Sequence, residues 1–229
     1  MSLIIIVLQG KGGSRKSTTV IHLAHWLRGI NQKFRLADLE YQDRLTMRYD
    51  PTCLPVSPDI EELLARKPQA MQLPTLMREG ANLLIDCGGG SFQWWDRLLQ
   101  MDDPPLLREL RQKGVRFTII VPVCADQDSQ QGFNDYDDFF AEAQPTKLLA
   151  TFGASDRNLP GFPSYPAELT LNLPELPRLL HIAISVRSQP AGVLAKLPTE
   201  ELGFPHGWAT NADLAYAAEF QRLIQYLTP

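Results

Sequence analysis

The chain has 229 residues, 44% hydrophobic and 21% charged, with a formal net charge of -4. That length and balance suit one large α/β domain with a continuous core, and argue against a general polyanion-binding surface without excluding a local basic patch. Cys53, Cys87 and Cys124 form no CxxC pair, which disfavours a zinc ribbon or iron–sulfur bridge and fits a reducing compartment.

The chain opens on Leu3-Ile4-Ile5-Ile6-Val7-Leu8, an unbroken apolar run suited to a strand buried on both faces. The run lacks the basic start of a signal peptide, and no stretch approaches the ~20 apolar residues of a membrane span. The expectation is a soluble, cytoplasmic protein without membrane attachment. A glycine-rich turn leads into a helix from about Lys16 to Arg28, with Val20, Leu23, Ala24 and Leu27 on one face and Gly29 in the C-cap place. His22 and His25 on this helix read as surface residues, since no third metal ligand of suitable spacing follows.

Phe34–Leu39 reads as the second strand, and further strands are expected at 82–85 and 117–121, with weaker candidates at 147–152 and 181–186. Helical patterns fall between them at about 60–66, 94–99, 105–113 and 132–143, and a last one at 213–227. Of Trp94 and Trp95, one is expected at the surface or an interface, because neighbouring helix positions do not face one core together. Prolines and glycines interrupt 145–177, which reads as a long excursion from a single domain spanning 1–229. Strands alternating with helices imply a doubly wound, mostly parallel sheet with helices on both faces, and a phosphate-binding motif in the glycine-rich turn after the first strand would make it a P-loop NTPase fold.

Gly10-Lys11-Gly12-Gly13-Ser14-Arg15-Lys16-Ser17-Thr18 lies between the first strand and the first helix. Glycines there let backbone N–H groups converge on phosphate oxygens, and the helix start adds its dipole. Lys16 is placed to reach the β- and γ-phosphates, and Ser17 to set its hydroxyl on Mg²⁺. Leu83-Leu84-Ile85-Asp86-Cys87-Gly88-Gly89-Gly90 is an apolar strand ending in a carboxylate, the form of a Walker B strand. Asp86 would orient a metal-bound water or Ser17, and the glycines would supply mobile backbone near the γ-phosphate. Cys87 reads as a small buried residue.

Lys11 followed by Gly-Gly-x-x-Lys-Ser resembles the deviant Walker A motif of the ParA/MinD family of partition and positioning ATPases. In that family the lysine equivalent to Lys11 reaches the partner's phosphates across a nucleotide-sandwiched dimer. The segment Asp38-Leu39-Glu40-Tyr41-Gln42-Asp43-Arg44-Leu45-Thr46 resembles the family's Asp-x-Asp-Pro-Gln run, which implies that Asp38 serves Mg²⁺ and Glu40 the attacking water. Val121-Pro122-Val123 resembles a further core strand of the family.

Three departures accompany the likeness. Arg15 stands where the family has glycine, so its guanidinium either adds a phosphate contact or blocks the turn. Glu40 and Tyr41 replace aspartate and proline. Thr151-Phe152-Gly153 lacks the asparagine expected to read adenine. The acidic residues Asp126, Asp128, Asp135, Asp137 and Asp138 read as a solvated face rather than a second metal site. A lone Arg187 is thin support for non-specific DNA contact.

The resemblance implies a Mg²⁺- and ATP-dependent switch that hydrolyses slowly and forms a homodimer on nucleotide binding. It would act with a protein activator or cargo adaptor to partition or position DNA or protein. The alternative is a degenerate, non-hydrolysing interaction scaffold on the same fold.

Overall fold

The computed structural model describes residues 2–9, 15–40, 44–89, 91–101, 105–123, 145–152 and 169–227. Seven strands form one sheet: β1 Leu3–Val7, β2 Arg35–Leu39, β3 Leu54–Pro55, β4 Leu83–Cys87, β5 Arg116–Val123, β6 Thr146–Phe152 and β7 Thr170–Leu173. Their order is β3-β2-β4-β1-β5-β6-β7, and every pair is parallel. The described helices are α1 Lys16–Gly29, α2 Leu45–Tyr49, α3 Ile60–Leu64, α4 Pro68–Arg78, α5 Ser91–Gln100, α6 Leu106–Gln112, α7 Arg178–Arg187, α8 Ala191–Leu194, α9 Thr199–Leu202 and α10 His206–Leu227.

The period-2 alternation of strand side chains divides the core into two layers. Ile4, Ile6, Leu83, Ile85 and Cys87 pack on α3 to α6. Ile5, Val7, Leu36, Leu84 and Ile120 pack on the face that α1, α7, α8 and α10 cover. Each apolar run therefore fills both layers at once, as its unbroken sequence requires.

Several elements differ from the sequence reading. His181–Val186 is part of a helix, α7, because Leu180 and Ile184 repeat at helical spacing and both are buried. The proline-rich region holds β6 and β7 at its ends, while 153–168 lies outside the described residues, as does the helix expected at 132–143. Helix α4 was not expected; Pro68 opens it and Pro74 sits inside it, masking a pattern that buries Ala70, Leu73 and Met77. Gly29 is the last helical residue of α1, and Asn31, with φ 59, supplies the left-handed step.

Trp94 and Trp95 are both fully buried, with rings 5.4 Å apart and perpendicular. Helix α5 touches α3 on one side and α6 on the other besides covering the sheet layer, so two of its faces are interior. The Trp95 Nε1–H donates to Cys87 Sγ at 3.3 Å, and burial pushes the Cys87 thiol up to about 12.

His22 also departs from expectation, being buried at the junction of α1, α8 and α10. The Ala191 N–H donates to its Nε2 at 3.0 Å, which places the ring proton on Nδ1, facing the Thr18 carbonyl at 2.7 Å. The Tyr216 ring stacks on it at 4.0 Å. The imidazole thus joins three helices and is held neutral, its pKa lowered by burial to about 4 from 6.5. Between pH 6.5 and 4 the unfolded chain takes up this proton first, so stability falls as pH drops through that window and levels off below it. The cost is about 3 kcal/mol for a displacement of this size. Urea unfolding of the native chain and of His22→Gln across this range should differ by a slope of that sign; parallel curves would remove His22 from the acid response.

Candidate functional site

The carboxyl ends of β1, β2 and β4 meet at the start of α1, where the strand order changes direction around β1. Residues 10–14, hence Gly10, Lys11, Gly12, Gly13 and Ser14 of the phosphate-binding turn, lie outside the described residues. Arg15, Lys16, Ser17 and Thr18 are described, and the last three form the first turn of α1. No acidic residue occupies that turn, so its backbone N–H groups keep their attraction for an anion.

Asp38 and Asp86 are direct partners in the β2–β4 register. By alternation they share a face with Leu36 and Leu84, the α1 side, and both are buried. The Ser17 hydroxyl donates to the Asp86 carboxylate. Thr46 Oγ1, from α2, donates to Asp86 Oδ2 at 2.6 Å. Asp38 Oδ1 accepts the Glu40 N–H at 3.0 Å, while the buried Asp38 Oδ2 has no hydrogen-bond partner.

Electrostatics follow from this crowding. Burial, then the Asp86 charge, pushes Asp38 up to about 7, with Arg44 opposing. Burial raises Asp86 as well, against the hydrogen bonds from Thr46 and Ser17 and the Lys16 charge. Lys16 is buried and pulled below the usual lysine range by desolvation, while Asp86 and Glu40 counter that shift. A cation at the carboxylate pair and an anion at Lys16 would each relieve a burial cost.

A divalent metal fits these donors. Ser17, Asp38 and Asp86 offer hard oxygens, which suit Mg²⁺, and Mg²⁺ characteristically takes one or two carboxylates together with phosphate oxygens. The unpartnered Asp38 Oδ2 is a free acceptor of the required kind. Among the described residues no cluster of three His, Cys, Asp or Glu side chains is present, so phosphate oxygens and water would complete the coordination.

Glu40 lies against Gly88. A Cβ on Gly88 would stand 2.8 Å from the Leu39 carbonyl oxygen and 2.9 Å from the Glu40 carboxylate. The Gly88 N–H donates to that same carbonyl at 2.9 Å, and Ser91 Oγ donates to the Gly88 carbonyl at 2.8 Å. These bonds hold the turn after β4 against the end of β2, beside the Glu40 carboxylate. Thr46 is the residue whose part in the site sequence reasoning left unassigned, visible only as a member of the Asp38 segment; Gly88 belongs to the glycine run expected beside the γ-phosphate, but its packing on Glu40 was not foreseen.

Arg15 occupies the N-cap of α1 at φ 61 and ψ 24, the left-handed region that costs a side-chain-bearing residue about 1–2 kcal/mol. Its carbonyl accepts from the Thr19 N–H at 2.9 Å and from Thr19 Oγ1 at 3.0 Å. Its guanidinium lies over the Phe152 ring, 4.9 Å from the centroid. The side chain thus leads away from Lys16 and toward the end of β6. There Thr151 Oγ1 donates to Asn172 Oδ1 at 3.2 Å, across the β6–β7 register.

Asp126, Asp128, Asp135, Asp137 and Asp138 lie outside the described residues. Arg187 is exposed and donates to the Glu201 carbonyl at 2.6 Å. Among the described residues no helix is long and apolar enough to cross a membrane.

No family model matches the chain, and no curated protein sequence matches it. Solved structures do. The cell division protein MinD of Aquifex aeolicus superposes with a TM-score of 0.50 at 15% identity, covering 100% of this chain and 99% of that one. The fold is MinD's. The MinC:MinD complex of the same organism gives a TM-score of 0.50 at 16% identity over 100% and 98% of the two chains. A plasmid partition protein of Borrelia burgdorferi bound to AMPPNP gives 0.49 at 15% identity over 93% and 99%. The doubly wound parallel sheet expected from the sequence is present, with helices on both faces.

Gly88→Ala tests the packing beside Glu40. The new methyl meets backbone oxygen, so urea unfolding should show a loss of about 1–3 kcal/mol. A stability within error of the native chain would show that the β4 turn moves aside freely.

Proposed function

We propose that the chain is a nucleotide-dependent switch of the ParA/MinD type, which binds ATP with Mg²⁺ and hydrolyses it slowly. The observation that carries this reading is the convergence of Lys16, Ser17, Asp38 and Asp86, from three elements remote in sequence, at the start of α1. The fold shared with MinD supports it.

ATP, when bound, supplies a phosphoanhydride whose cleavage ends the signalling state. The residues of this chain have distinct parts around it. Lys16 would neutralise phosphate oxygens; burial pulls its pKa below the usual lysine range, a cost that an anion beside it would offset. Ser17 and Asp38 would hold the metal, while Asp86 fixes the Ser17 hydroxyl by accepting its hydrogen bond, which leaves the oxygen lone pairs free. Glu40, wedged against Gly88, orients a water for in-line attack. Lys11 completes the site of a second copy, which makes nucleotide binding and dimer formation one event.

A protein activator or cargo adaptor fits a switch whose bound state is its output, and the similar MinD structure is also known in a complex with MinC. DNA or protein is the cargo in this reading, and the site is cytoplasmic. A second reading, a non-hydrolysing scaffold, is favoured by Arg15, whose strained backbone replaces the expected glycine.

Phosphate release measured with and without Mg²⁺ separates the two, with Lys16→Ala as the blank. Native release should exceed the blank by about a hundredfold or more, the scale of losing a charged transition-state contact. Light scattering should show the mass doubling with a non-hydrolysable ATP analogue. Release equal to the blank at saturating nucleotide leaves the scaffold reading; binding lost in the native chain and restored by Arg15→Gly makes it a blocked site.

A further inference from the structure

We propose that Thr46 is a positioning residue for the metal side of the candidate site: it fixes the plane of the Asp86 carboxylate from behind, so that Asp86 holds the Ser17 hydroxyl in one direction. The inference rests on the switch reading and adds to it a residue that touches neither metal nor phosphate.

The three side chains run from the surface inward. Ser17 is half-buried at the start of α1, Asp86 is 2% exposed, and Thr46 is fully buried. Thr46 Oγ1 donates to Asp86 Oδ2 at 2.6 Å, and the Ser17 hydroxyl donates to the same carboxylate. A carboxylate held by one hydroxyl still turns about its last side-chain torsion, which has broad minima. Donors from two separate elements, α1 and α2, remove that freedom. A hydroxyl as close as that of Thr46 makes one of the stronger hydrogen bonds available to a carboxylate.

The neighbouring carboxylate gives the contrast. Asp38 is the register partner of Asp86, yet its buried Oδ2 has no hydrogen-bond partner. One member of the pair therefore keeps an oxygen open to a cation, while the other has its oxygen engaged by Thr46. The Thr46 hydroxyl is what makes two adjacent aspartates unequal.

Thr46 can fix Asp86 only if α2 is itself fixed, and a helix of five residues is too short to hold alone. Contacts outside the site anchor it. Arg28 of α1 donates to the Tyr49 hydroxyl at 3.0 Å and pairs with Asp50, the C-cap of α2. Arg48 Nε donates at 3.0 Å to Oγ of Ser188, the C-cap of α7. Leu45 packs in the core layer shared with α1. The donor thus comes from backbone bolted to two larger helices, as an outer support for a metal site requires.

Calorimetric titration of a non-hydrolysable ATP analogue, with Mg²⁺ and with EDTA, tests the role in the native chain, Thr46→Val and Thr46→Ser. Valine keeps the shape and removes the hydroxyl, whereas serine keeps the hydroxyl and removes the methyl. Thr46→Val should lose about 10- to 100-fold of the tightening that Mg²⁺ confers, the scale of losing an outer-shell partner. Its binding in EDTA should stay native, and Thr46→Ser should keep the native response to Mg²⁺. Equal weakening with and without the metal, or a loss in Thr46→Ser as large as in Thr46→Val, shows mere packing and overturns the inference. Melting temperatures check folding; should Thr46→Val not fold, Thr46→Cys, whose thiol is a weak donor, takes its place. A native chain whose nucleotide affinity ignores Mg²⁺ overturns the switch reading and this inference together. A native response to Mg²⁺ that Thr46→Val retains in full overturns the positioning role alone.

Discussion

Two carboxylates held side by side in the interior set the terms for this end of the molecule. Asp38 and Asp86 are register partners on adjacent parallel strands, so their side chains project in the same direction from neighbouring backbones. Burial first, and then the neighbouring Asp86 charge, raises the Asp38 carboxyl, so the pair left alone resists full ionisation at neutral pH. Donors from Ser17 and Thr46, the Lys16 charge and a hard cation all act in one sense, stabilising negative charge that the sheet has buried. The β2–β4 pairing therefore does more than close the core: it creates a demand for positive charge beside an anion-attracting helix start.

Much of this was legible because parallel strands buried on both faces leave unbroken apolar runs, and a carboxylate ending such a run is conspicuous. Asp86 closes the run Leu83-Leu84-Ile85, Asp38 stands near the end of β2, and α1 announced itself by Val20, Leu23, Ala24 and Leu27. Local pattern failed where burial came from a second side. His22 and the Trp94–Trp95 pair looked half-exposed on a one-faced helix, yet α10 covers α1 and both α3 and α6 flank α5. Period-based reading assigns one buried face to a helix, and these helices have two. Residues 181–186 went wrong for a related reason: a short apolar run has no intrinsic period, and the neighbouring Leu180 was needed to reveal the helical one.

Arg15 shows the limit of reading a motif by identity alone. From sequence, a large side chain in place of glycine threatens the cavity that the turn should enclose. The structure retains the left-handed backbone that glycine would adopt and turns the side chain out over Phe152. Backbone shape and side-chain direction are separate quantities, and a motif letter conveys neither. The energetic cost is paid in torsion at one residue, while the first turn of α1 keeps its N–H groups free of acidic side chains.

Likeness to MinD over the whole chain at 15% identity, with no family model matching, is what this division of labour produces. A parallel sheet asks only that its strands be apolar, so Ile, Leu, Val and Phe exchange there with little effect on architecture. Chemical identity is demanded at a handful of positions, and the residues proposed for that part here are gathered at the ends of β2 and β4 and in the first turn of α1. Glu40 and Arg15, the departures from the resembled motif, fall among those few. Both are accommodated locally: Ser91 anchors the Gly88 turn that Glu40 packs on, and Phe152 packs on the Arg15 guanidinium.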